Sequence, residues 1–179
     1  MTNFRVYVVN LGKYNAGEPS GEWLNLPMNP PELEETLDRI TYGGTNDYAI
    51  HDYDIPIRGL RIHEYTSLRK LNDIVRRIGV LEQYELDALE VALEHVFNTP
   101  EDALDAIETE SFNIIYLDTD YPTLTDLGHA LVDDYDLMEV PEHLRNYIDY
   151  EQIGHDFTLE TSGDFGGHYA RNPYYAYFY

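Results

Sequence analysis

The chain has 179 residues, with 34 Asp and Glu against 11 Lys and Arg, a net charge of -23 and a pI of about 4.3. That sign excludes the basic face a nucleic-acid binder needs and excludes docking on anionic membranes. The lack of cysteine excludes a disulfide framework and thiol chemistry, while 17 tyrosines and 43% apolar residues separate the chain from disordered acidic tails.

Residues 4–11, FRVYVVNL, are nearly all apolar and predict a strand covered on both faces. Gly12 to Gly21 is rich in turn formers and predicts a loop, followed by a short strand from Glu22 to Leu26. Asn29, Pro30 and Pro31 predict a helix start, with Asn29 as N-cap and Pro30 in the first helical position. That helix runs to about Ile40 and breaks at Gly43 and Gly44. Tyr48 to Tyr53 predicts another strand, and Pro56 and Gly59 a linker. Tyr65, Leu68, Leu71, Ile74, Val75 and Ile78 then recur at spacings of three and four, which predicts a helix over 64–78 ended by Gly79.

Leu81 to Phe97 predicts a second helix of this group. Leu81, Leu86, Ala88, Leu89, Ala92, Leu93 and Val96 share one arc of it, and Asp87, Glu90 and Glu94 project from another. Thr99 as N-cap, Pro100, and then Glu101 and Asp102 in the first turn predict a third. FNIIYL at 112–117 predicts a strand, and Thr125 to about Tyr135 a helix. Pro141 opens a last short helix carrying Leu144, Tyr147 and Ile148. Past Gly154 the chain turns Gly- and Tyr-rich, and its YYAYFY fits a terminal strand, an oligomer contact or a partner-binding patch. The expected fold class is α+β, with an α/β unit over 1–62, a helical bundle over 63–108 and an α/β unit over 109–179.

The charge is unevenly placed. Residues 1–77 hold 11 acids and 9 bases, and residues 145–179 hold 5 acids and 2 bases. Residues 78–144 hold 18 acids and no Lys or Arg. Leu, Val, Ile and Ala recur through this base-free block at structural spacings, so it predicts a folded acidic surface. A halophilic protein would be acidic throughout, which the nearly neutral first 77 residues are not. Arg69, Lys70, Arg76 and Arg77 form the one basic cluster, read as a solvated face or as an internal counterweight to the acidic block.

Catalytic and metal readings find little support. No Walker, nucleophile-elbow or zinc-protease motif occurs. The glycines of SGDFGGH (163, 166 and 167) follow no clear strand and read as a loop. Asp118, Asp120 and Asp126 invite a calcium reading, but Pro122 takes the fifth loop position and no glycine follows where an EF-hand needs one. His51, Asp52 and Asp54 read as a strand end, since the two acids face one side and the histidine the other. Chance carboxylate pairs are guaranteed among 34 acids, so a hydrolase has no specific support. The expectation is no catalytic residue, no metal and no cofactor. No apolar run approaches the roughly 20 residues a bilayer-spanning helix needs, and the N-terminus shows no leader, so a cytoplasmic location is expected.

A dense carboxylate surface has a direct use. Duplex DNA carries one phosphate charge per about 1.7 Å of axis, so a charge of -23 equals that of roughly 40 Å of duplex. Carboxylates on a folded body would meet the Lys and Arg side chains that DNA-binding proteins aim at phosphates, steering association.

Specific residues narrow this further. Residues 5–28, RVYVVNLGKYNAGEPSGEWLNLPM, resemble the opening of ArdA antirestriction proteins through Tyr7, Asn10, Leu11, Gly12, Lys13, Tyr14, Asn15, Gly17, Gly21, Trp23, Leu26 and Pro27. YAIHDY (48–53), EYTSLRKLN (64–72) and EVPEHLRNYIDYEQIGHD (139–156) resemble later blocks of the family, in family order. His155 and Phe157 stand where the family usually has Arg and Leu.

The resemblance implies an elongated, curved chain of three small domains that forms a homodimer and mimics bent B-DNA. It implies a partner in the DNA-binding groove of type I restriction–modification enzymes, with both restriction and modification blocked, and carriage on mobile elements. Asp87, Glu90, Glu94, Glu101, Asp102, Asp105, Glu108, Glu110, Asp118, Asp120, Asp126, Asp133, Asp134, Asp136 and Glu139 are the expected phosphate stand-ins. Val140, Leu144, Tyr147 and Ile148 are candidates for the dimer contact on pattern alone, with a core role as the alternative. The competing reading is an acidic adaptor or chaperone for some other basic DNA-binding protein.

Overall fold

The computed structural model describes residues 4–42, 47–117, 123–135, 139–159, 168–170 and 175–178. Strand β1 (Phe4–Asn10) lies between β2 (Gly21–Leu26) and β3 (Tyr48–Asp54) in an antiparallel sheet of order β2-β1-β3. Val6 faces Leu24 on one side and Tyr53 on the other. The expected two-sided cover of β1 holds only for Val8, Val9 and Asn10, which are buried in succession. Arg5 and Tyr7 stay partly exposed. On their side Trp23 meets the Tyr7 ring at 5.5 Å between centroids, and the Arg5 guanidinium sits 4.8 Å from the Trp23 ring. The end of the Tyr7 ring lies over Gly21, where a Cβ would push it aside.

The predicted loop after β1 begins instead as a short helix, α1 (Leu11–Asn15). Its cause is Asn10, a buried polar side chain that spends both ends of its amide. Its oxygen accepts from Lys13 N at 2.9 Å, capping α1, and its Nδ2 donates to the Ile40 carbonyl at 2.8 Å. Helix α2 (Pro30–Thr41) starts as expected and buries Leu33, Thr36, Leu37 and Ile40, although Asn29 makes no side-chain cap bond. Gly43 and Gly44 lie outside the described residues.

Residues 55–67 form no helix or strand, yet they do not behave as a linker. Ile57, Leu60 and Ile62 are buried in the core, and Gly59, at φ +79°, lets the chain run against Leu93 where a side chain would collide. The helix predicted from Glu64 begins only at Leu68: His63–Thr66 close a turn, the Glu64 carbonyl accepts from Ile50 N of β3 at 2.8 Å, and Ser67 takes the N-cap position. Helices α3 (Leu68–Ile78), α4 (Gln83–His95) and α5 (Pro100–Glu108) follow. One apolar cluster runs from Phe4 through these helices to Ile114. Asn72, buried on α3, donates to and accepts from the backbone of Met28 at 3.0 and 2.7 Å, tying the helices to the sheet.

Strand β4 (Asn113–Tyr116) opens the last part. Helix α6 (Leu124–His129) continues as a π-helical turn over Ala130–Asp134, close to the predicted span. A 3-10 turn spans Glu142–Tyr147, and α7 (Tyr150–Leu159) follows it, so the segment opened by Pro141 is not the last helix. Helices α6 and α7 cross at two glycines: a Cβ on Gly128 would collide with the Tyr150 carbonyl, and one on Gly154 with the Leu124 carbonyl. Around that crossing Ile115, Leu117, Leu127, Ala130, Leu131 and Phe157 form a second apolar cluster. Strand β5 (His168–Ala170) and strand β6 (Tyr175–Phe178) complete an antiparallel sheet of order β4-β6-β5, so the YYAYFY segment supplies its central strand. Among the described residues, no helix is long and apolar enough to cross a membrane.

Candidate partner-binding surface

Burial requires a charge to be paired or lost, and this chain avoids the problem. Its described buried polar residues are Asn10, Thr36 and Asn72, so every described Asp and Glu keeps access to solvent. Their environments still differ.

On α4, Asp87 accepts from the Tyr116 hydroxyl at 2.7 Å and from Gln83 Nε2 at 2.9 Å. Glu90 accepts from Arg58 through both the backbone N and Nε, at 3.1 and 2.7 Å, and its side chain is only 17% exposed. Glu94 stands exposed near the end of the helix with no ion pair among the described residues. The predicted common face of these three acids thus holds two engaged carboxylates and one open one. Nearby, the Tyr84 hydroxyl donates to the Ile114 carbonyl at 2.9 Å, joining α4 to β4, and burial pushes its pKa up.

On α5, Thr99 and Asp102 cap the helix: Asp102 N donates to Thr99 Oγ1 at 3.2 Å, and that hydroxyl donates to the Asp102 carboxylate at 2.6 Å. Glu101, beside them, is partly exposed. Asp105 and Glu108 share one guanidinium, with Arg77 Nη2 2.5 Å from Asp105 and Nε 2.7 Å from Glu108. These contacts, Glu108 first, hold the Arg77 pKa above its ordinary value. Glu110 follows the helix in the left-handed region, at φ 56°, which a glycine would occupy at less cost.

In the last part, Asp126 forms a capping box with Thr123, whose hydroxyl donates to it at 2.7 Å and keeps its pKa below the ordinary carboxylate value. Asp133 accepts from Arg145 and lies 2.9 Å from His129 Nδ1, while the His129 ring stacks on Tyr150 at 3.7 Å. Asp134 and Glu139 are exposed. Asp118, Asp120 and Asp136 lie outside the described residues. Among the dimer candidates, Tyr147 is 85% and Leu144 44% exposed, Val140 and Ile148 are partly exposed, and none belongs to either apolar cluster.

The basic cluster divides. Arg69 pairs with Glu34 at 2.5 Å and Arg76 with Asp73 at 2.9 Å, both within the first region. Arg77 crosses to α5 as described, which is the counterweight role. Lys70 makes no ion pair among the described residues. With Arg61 it lines a cleft of about 440 Å³, which Glu94 and Glu101 also line, so neither sign of charge prevails there. His51 meets Glu64 at 3.9 Å and the edge of Tyr14, as a satisfied strand histidine does. Nothing in spacing or periodicity pointed to the arginine partners, which lie 28 to 32 positions from their carboxylates for Arg58 and Arg77.

An α+β scaffold whose described carboxylates all remain at the surface is the setting for the comparison with known families. Residues 6–170 match the family described as antirestriction protein (ArdA). The chain belongs to this family, and its class is that of antirestriction proteins. No curated protein matches it.

Proposed function

We propose that this protein inhibits type I restriction–modification enzymes by occupying their DNA-binding groove, with its surface carboxylates standing where DNA phosphates would. The observation that carries the proposal is the state of the acids in the base-free block. None of the described ones is buried, and Glu94, Glu101, Glu110, Asp134 and Glu139 have no ion pair among the described residues. A cation-lined groove would meet charge already at the surface, with no desolvated acid to expose first. The acids are phosphate mimics and none is catalytic. The three-domain division at residues 62 and 108, the bent-DNA shape and the cytoplasmic location belong to the same proposal. So does a homodimer, which the exposed Leu144 and Tyr147 support.

The test is displacement of a labelled target duplex from a type I methyltransferase over a salt series. The expected result is full displacement at low salt, weakening steeply as salt rises, because ion pairing and counterion release supply the affinity. Failure to displace DNA at low salt would sink the proposal. Capture of basic nucleoid proteins, with no restriction subunit, would favour the adaptor reading.

A further inference from the structure

We infer that Arg77 is a positioning residue for the inhibitory surface: it fixes Asp105 and Glu108 in place for a basic partner, and its role is not to cancel their charge. The inference rests on the proposed function. Arg77 lies in the last turn of α3, just before the base-free block begins, and its side chain is 23% exposed. It reaches α5 with two different nitrogens, Nη2 to Asp105 Oδ1 and Nε to Glu108 Oε1. Asp105 and Glu108 are three positions apart, so on a helix they are neighbours and repel. Both sit in the last turns of α5, where the helix dipole also disfavours negative charge. Left alone, these side chains would splay apart and sample many rotamers.

The guanidinium reverses that. Its planar fork holds both carboxylates at once in fixed directions, where a lysine's ammonium, a point charge on a flexible stem, fixes neither. It engages one oxygen of each, and each carboxylate has a second oxygen with lone pairs to offer. A partner's Lys or Arg therefore meets two acceptors already held in place, and the entropy cost of ordering them falls on folding and not on binding.

The two possible roles of Arg77 predict opposite signs. If it merely neutralises, Arg77→Gln adds one net negative charge and tightens binding to a cation-lined groove. If it positions, Arg77→Gln weakens binding despite the added charge. The experiment is the same displacement of a labelled duplex from a type I methyltransferase, at one ionic strength, with full-length wild type, Arg77→Gln, Arg77→Lys, Asp105→Asn/Glu108→Gln and the triple variant. Far-UV circular dichroism and thermal midpoints accompany each protein.

Arg77→Gln is expected to weaken inhibition by about three- to tenfold. Arg77→Lys should recover only part of that loss. In the Asp105→Asn/Glu108→Gln background, Arg77→Gln should have no further effect on inhibition, which a purely structural loss would not reproduce. Equal or tighter binding by Arg77→Gln overturns the inference, as does an equal loss with and without the two acids. Should Arg77→Gln fail to fold, Arg77→Lys decides the matter: inhibition equal to wild type would overturn the inference. A wild type that displaces no DNA defeats the functional reading itself, so the two failures are distinguishable.

Discussion

In residues 4–77, Arg5, Arg39, Arg69 and Arg76 pair with Asp54, Glu22, Glu34 and Asp73 of the same region. In residues 78–144 the described acids that pair with an arginine are Glu90, Asp105, Glu108, Asp133 and Glu142, and their arginines are Arg58, Arg77 and Arg145 from outside the block. Four arginines of the first region are thus paired within it, while its Arg58 and Arg77 reach out to the second. The second takes all its arginine partners from outside, through tertiary contacts except for Glu142 with Arg145 three positions on, and most of its described acids go without. Charge in the block is therefore a property of the fold as well as of composition, and its pattern should fail if the supporting contacts fail.

The largest effect should come from breaking one region while sparing the other. Gly154→Val drives a branched side chain into the Leu124 carbonyl, and α6 and α7 cannot keep their crossing. Overpacking of this kind costs typically about 1–3 kcal/mol, with more expected where backbone is struck. Trp23, the one tryptophan, reports on the first sheet alone. Helical circular dichroism should fall at lower urea than in the wild type while the Trp23 fluorescence transition stays near its original midpoint. A joint shift of both signals would show that the regions unfold together.

Charge exchange sharpens the contrast next. The quadruple variant Glu94→Gln, Glu101→Gln, Glu110→Gln and Asp134→Asn should lose most displacement of DNA and show a shallower salt dependence. A matched set in the first region, at Glu18, Glu32, Glu35 and Asp47, removes the same charge and should leave displacement near wild type. Equal losses from both sets would mean that total charge, and not its region, decides.

Asn72→Ala leaves both backbone groups of Met28 without their partners. The cost should be about 1–3 kcal/mol in urea unfolding, since partly buried polar groups lose their hydrogen bonds. Inhibition at low temperature should persist, because no acid is touched.

The smallest effect concerns pH. The Thr123 hydroxyl and backbone hold Asp126 below the ordinary carboxylate pKa, so the charged form favours the fold. That stabilisation is complete above the unfolded-state pKa and is lost as pH falls through it and then through the lowered folded value. Asp126→Asn should therefore be less stable than wild type near neutrality, and the gap should close between about pH 5 and pH 2. A gap that widens on acidification would reverse the assignment.

Strands β1 to β4, α2 and α5 were legible because their signals are local: apolar runs, Pro after a cap position, Thr99 with acids in the first turn. The features that escaped depend on distant partners. α1 exists because Asn10 is held by a carbonyl thirty positions away. The stretch 55–67 carries Pro and Gly like a linker, but its isoleucines and leucine join the main apolar cluster, with Gly59 running against Leu93 of α4. α7 meets α6 through glycines, which leave little apolar periodicity to read. The site was legible as a charge block and not as a set of environments. Several residues that carry the family resemblance are scaffold: Tyr7 against Gly21, Asn10 on Ile40 and Asn72 on Met28. The acids proposed as phosphate stand-ins lie mostly between those blocks.

The order β4-β6-β5 has a consequence for synthesis on the ribosome. The sheet and helices of the first region can close as soon as α5 and β4 have emerged. β4 then has no strand partner until residues 175–178 are made, and Ile114 and Ile115 lie on that waiting edge. A chain stalled or cleaved before β6 would present an unpaired apolar strand, the template other chains add to in aggregation. Quality control of the nascent protein is thus concentrated on one late segment, and a message truncated there should yield insoluble product while the first region is already folded.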